Sequence, residues 1–89
     1  MTRRYLVIYE EGPHNLSGFA PDVPGCASTG HSLDELRTNL REAIEFHLEG
    51  LALDGQPIPA AVTRLAEAPE GGSAEWLTVE MPAMEAISA

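Results

Sequence analysis

Eighty-nine residues suffice for one compact domain, because a second core would need roughly 50 more to cover itself. A hydrophobic fraction of 44% with a mean hydropathy of −0.10 is that of a chain able to fold, which excludes wholesale disorder and collagen-like or low-complexity scaffolds. Fourteen acidic residues against five arginines give a net charge of −9, which repels phosphate backbones, argues against autonomous nucleic-acid binding and favours a basic protein partner.

Arg4 to Glu10 is rich in β-branched and aromatic residues, with apolar side chains on both alternating faces. That pattern predicts a central strand covered on both sides. Gly12-Pro13-His14-Asn15 is turn chemistry, and Leu16 to Ala20 reads as the returning strand of a hairpin. Pro21-Asp22-Val23-Pro24-Gly25 forms a rigid turn, since both prolines fix φ and Gly25 tolerates a positive φ. Cys26 to Thr29 follows as a short third strand.

Ser32 with Glu35 three residues later matches a capping box and starts a helix at Leu33. At 100° per residue, Leu33, Leu36, Leu40, Ala43, Ile44, His47, Leu48 and Leu51 share one face, the width of a core-facing stripe. Gly55 with Pro57 behind it stops the helix after about 21 residues. Prolines 57, 59 and 69 and the run Gly71-Gly72-Ser73 predict a loop from Gln56 to Ala74, within which Ala60 to Glu67 has the propensity for about two helical turns. Glu75 to Met81 alternates, with Leu77, Val79 and Met81 on the buried side, and predicts a fourth, half-buried strand. The single domain is expected to span residues 1–82, followed by an apolar tail, 83–89, and no separate DNA-binding domain.

Few residues here suggest bond-making chemistry. His14, His31, His47 and Cys26 lack the paired spacing of two to five residues that zinc sites show, so no metal, cofactor or catalytic residue is expected. His47 falls in the apolar stripe, where a hydrogen-bonded core histidine is the ordinary outcome, and Cys26 reads as a small buried hydrophobe. Gly71-Gly72 has neither the lysine nor the following helix of a phosphate loop. A lone cysteine excludes an internal disulfide, and with no secretory leader pattern at Met1 a cytoplasmic location is expected. The apolar runs fall well short of the ~20 residues of a membrane-spanning helix.

Surface pattern says more. Asp34, Glu35, Glu42, Glu45 and Glu49 make one side of the helix acidic, and Phe46 and Leu53 lie beside that side rather than on the main stripe. Such apolar residues suit contact with a partner or subunit, or form a shoulder of the core. The candidate partner-binding residues are therefore Glu42, Glu45, Phe46 and Glu49 on the helix and Asp22, Pro24 and Gly25 in the turn. Because Tyr5 to Tyr9 is apolar on both faces, cover for the second face of the sheet is expected from another subunit or the tail. A homo-oligomer, most simply a dimer, is the expected state.

The run Phe19 to Ser32, with its Pro21-Asp22-Val23-Pro24-Gly25 turn, followed by Glu35, Asn39, Glu42, Ala43, Ile44, His47 and Leu48 and the Gly55 and Pro57 to Pro59 ending, resembles the HicB-like antitoxin family. The likeness covers about Tyr5 to Pro59. It implies an α+β fold of order β-β-β-α-β, with a three-stranded antiparallel meander and a fourth strand beside the first, a partial RNase H-like arrangement. It further implies an antitoxin that sequesters a HicA-type toxin, a small basic protein that cleaves messenger RNA. The alternatives are an RNase H-like metal nuclease and a standalone oligomeric scaffold or small-ligand module. The nuclease pattern is not met, since Tyr5 to Tyr9 carries no carboxylate and only Glu10 and Glu80 sit near strand ends.

Overall fold

The computed structural model describes residues 1–64 and 73–82. Its elements run β1 (Thr2–Glu11), β2 (Leu16–Phe19), β3 (Ala27–Gly30), α1 (Leu33–Leu53) and β4 (Ser73–Glu80). The strands form a single antiparallel sheet in the order β3-β2-β1-β4, so the fourth strand does lie beside the first. The fold is the α+β, β-β-β-α-β arrangement expected. Cys26 lies in the turn rather than in β3, because its amide donates to the Val23 carbonyl at 3.1 Å and its carbonyl accepts from Ala20 at 3.3 Å. The tail 83–89, the Gly71-Gly72 pair and the end of the Ala60 to Glu67 segment lie outside the described residues, and Ala60 to Arg64 is irregular.

Strand alternation divides β1 between two environments. Tyr5, Val7 and Tyr9 face α1 and join Leu36, Leu40, Ile44, Leu48, Leu77 and Val79 in one core. The intervening Leu6 and Ile8 point to the other side of the sheet, yet they are buried within a single chain at 0% and 4% exposure. Cover from another subunit is therefore not required for them. Their cross-strand neighbours on that face, Trp76 beside Leu6 and Phe19 beside Ile8, remain partly exposed.

Helix α1 spans the 21 residues its pattern predicts. Its buried line is Leu36, Leu40, Ile44, Leu48 and Ala52. Ala43, His47 and Leu51 flank that line half-buried, and Leu33 is exposed. His47 is thus a margin residue and not an enclosed one. Ser32 Oγ accepts the Glu35 amide at 3.1 Å, while the Glu35 carboxylate accepts the amide of His31 rather than that of Ser32. The cap is a capping box shifted by one donor. At the other end Gln56 N donates to the Leu51 carbonyl, Gly55 N donates to that of Ala52, and Gly55 takes a φ of 70°. This is a Schellman ending, which glycine adopts without a Cβ penalty.

Gly30 sets the distance between sheet and helix. A Cβ there would come within 2.7 Å of the Leu36 backbone nitrogen, so only glycine lets β3 run this close to the first turn of α1.

Candidate partner-binding surfaces

The polar flanks of α1 reach both edges of the sheet. Arg41 Nε donates to the Thr78 carbonyl at 2.9 Å, and the Glu45 carboxylate accepts the Glu80 amide at 2.7 Å. On the opposite edge Asn39 Nδ2 donates to the Thr29 carbonyl at 2.9 Å. Exposed strand edges invite pairing with another chain, and these three side chains occupy outward backbone groups that could otherwise do so. Nothing in the one-dimensional pattern marked them, although Arg37, Arg41 and Glu45 recur at four-residue spacing beside the apolar stripe.

A second polar cluster ties the helix to β4. Arg37 grips Glu75 with two hydrogen bonds, of 2.6 and 3.0 Å, and reaches Asp34 at 3.1 Å. The Tyr9 hydroxyl donates to the same Glu75 carboxylate at 2.5 Å. The bidentate guanidinium holds the Glu75 carboxyl below the usual carboxylate range, whereas burial, with Glu75 alongside, pushes the Tyr9 phenol up. Burial likewise raises the Cys26 thiol, whose Sγ donates to the Ala43 carbonyl at 3.7 Å. Among the described residues no group of three or more His, Cys, Asp or Glu side chains is gathered as a metal site.

The residues singled out in the turn divide. Asp22 serves the fold: its carboxylate accepts the amides of Val62 and Thr63, each at 2.9 Å, and the Thr63 hydroxyl at 2.7 Å. The segment leaving α1 is held on its far side by Tyr5 Oη and Arg3, which donate to the Pro59 carbonyl at 2.6 and 3.0 Å. Pro24 and Gly25 are exposed, with Gly25 at a φ of 88° and the intervening Val23 fully buried as their anchor. Cys26 and its contact with Ala43 tie this turn to α1.

The helix residues divide too. Glu45 is half-buried at the edge of β4, whereas Glu42, Phe46, Glu49 and Leu53 are all exposed. Spacings of four, three and four residues place these four on one ridge, opposite the line through Ile44. Phe46 is 80% and Leu53 69% exposed, so neither is a shoulder of the core. Gly50, with open space where a Cβ would stand, leaves a notch between them.

A profile of the family described as HicB-like antitoxin of bacterial toxin-antitoxin system matches residues 5–87. The chain belongs to that family. Among solved structures, the N-terminal domain of the Burkholderia pseudomallei antitoxin HicB shares the fold with a TM-score of 0.76 at 24% identity, over 89% of this chain and 100% of that one. A chain of the HicA3 and HicB3 toxin-antitoxin complex matches with a TM-score of 0.69 at 26% identity, over 89% of this chain and 98% of that one. Among curated relatives, a 14.9 kDa protein from the rep-hol intergenic region of Haemophilus phage HP1 is 51% identical over 39 residues, which are 44% of this chain and 29% of that one. A UPF0150 protein of Thermotoga maritima is 41% identical over 44 residues, 49% of this chain and 59% of that one. This HicB-like chain thus spans less than two thirds of the length of either relative. No helix among its described residues is long and apolar enough to cross a membrane.

Proposed function

We propose that this HicB-like chain is an antitoxin that binds and neutralises a small basic, HicA-type, RNA-cleaving toxin in the cytoplasm, without catalysing a reaction itself. Family membership supports the antitoxin role, and the likeness to a chain of the HicA3 and HicB3 complex supports the class of partner. The observation that carries the reading is the ridge Glu42, Phe46, Glu49 and Leu53, where two exposed apolar side chains stand among carboxylates on a chain of net charge −9. Long-range attraction steers a basic protein onto such a ridge, and a desolvated apolar centre holds it there. Glu45, Pro24 and Gly25 lie at the margins of this contact, whereas Asp22 contributes by shaping the turn.

The test is co-expression with the short basic reading frame expected beside this gene. A co-purifying complex and relief of growth arrest are the expected results. A toxin that neither co-purifies nor is neutralised refutes the antitoxin reading. We propose also that the protein self-associates, as its exposed Trp76 and Phe19 beside a sheet edge suggest.

A further inference from the structure

We infer that the outer edge of β4 pairs antiparallel with β4 of a second copy, joining two four-stranded sheets into one of eight strands. This rests on the proposal of self-association and names the surface that carries it.

The backbone supplies the first reason. Thr78 and Glu80 direct their backbone groups away from β1, where Arg41 and Glu45 meet them. Strand alternation sends those of Trp76 and Ala74 the same way. Among the described residues no hydrogen bond reaches these two from that side. The helix therefore guards the C-terminal half of the edge and leaves the half around Ala74 and Trp76 open.

Side-chain shape supplies the second reason. A two-fold axis beside Glu75 sets Ala74 opposite Trp76 of the partner copy, and each such pair exchanges both backbone hydrogen bonds. Each partly exposed indole, already under the Arg4 guanidinium at 5.6 Å, then lies over the small Ala74 of the other chain. Large meets small at both positions.

Charge decides between this surface and the helix ridge. Arg3 and Arg4 lie on the strand paired with β4, and Arg37 and Arg41 bond directly to it, so four of the five arginines adjoin this strand. Both Glu75 carboxylates come to the axis already neutralised by their own Arg37. A second copy meeting the ridge of α1 would set Glu42 and Glu49 against like charges. The β4 edge is the side of this acidic chain on which its own kind can approach.

Sedimentation velocity across about 1 to 100 µM separates the outcomes. The full chain is expected at twice its 9.5 kDa mass. Ala74→Pro removes an outward amide and leaves the ladder to β1 intact, while Ala74→Glu sets a charge beneath the partner's indole. Each should raise the dimer dissociation constant at least ~10-fold with an unchanged circular dichroism spectrum, and Phe46→Glu should leave it as it was. A wild-type monomer throughout, or a dimer indifferent to both Ala74 variants, overturns the inference. Toxin co-purification with the monomeric Ala74→Pro protein keeps its failure separate from that of the antitoxin reading.

Discussion

The outward ridge of α1 and its flank toward β4 use charge in opposite ways. On the flank, Arg37, Arg41 and Glu45 are consumed by the fold, each bonded to a named group of β4. On the ridge, Glu42 and Glu49 stand exposed beside Phe46 and Leu53. The difference teaches that composition alone does not reveal where a charged helix binds. Two glutamates three residues apart, Glu42 and Glu45, serve recognition and edge protection respectively.

Substitutions that separate stability from binding test this contrast. Ile44 is fully buried and Phe46 is 80% exposed, only two residues away. Ile44→Ala should cost about 2–5 kcal/mol of stability in urea unfolding. Phe46→Ala should change stability by less than about 0.5 kcal/mol, yet weaken toxin binding by about 1–3 kcal/mol, mostly through faster dissociation in surface plasmon resonance. Equal effects of the two on stability would erase the distinction between core line and ridge.

Glu75 tests the flank. Because Arg37 lowers its folded pKa, the carboxylate stabilises the fold fully above its unfolded value of about 4.3, and that contribution is lost as pH falls through the lower folded value. Glu75→Gln should therefore lower stability by about 1 kcal/mol at pH 7, given the screening of a partly exposed pair. The wild-type advantage should vanish in thermal melts in the acid range below the folded value. The smallest effect is kinetic: Glu42→Gln with Glu49→Gln should slow toxin association a few-fold and flatten its salt dependence, with little change in dissociation. Glu45→Gln, in contrast, should act on protection of the Glu80 amide from hydrogen exchange.

Much of the fold was legible because its signals are local. Ser32 and Gly55 bracket α1, the period of Leu36, Leu40, Ile44 and Leu48 sets its phase, and alternation places Leu77 and Val79 inward. Ala52 escaped because the stripe was followed only to Leu51, and His47 proved marginal because the helix turns it past the centre of the core. The site was legible only in outline. Phe46 stood out as apolar among acids, but its exposure depends on no strand passing beneath it. The bonds from Asp22 to residues 62 and 63, about 40 residues away in sequence, leave no periodic trace. The same holds for Arg41 reaching Thr78.

The ladder between β1 and β4 ties Thr2 to Glu80, and this has a consequence for synthesis. The strand at the middle of the sheet is the first to be made, while one of its two neighbours is the last of the described strands. Loop-closure entropy makes such distant pairings late and slow events in folding. A nascent chain that has reached only α1 holds Tyr5, Val7 and Tyr9 without Leu77 and Val79 to complete their cover. A chain ended before Ser73 should therefore expose the apolar centre of its sheet to proteases and to aggregation, and protection should arrive in one late step as β4 docks.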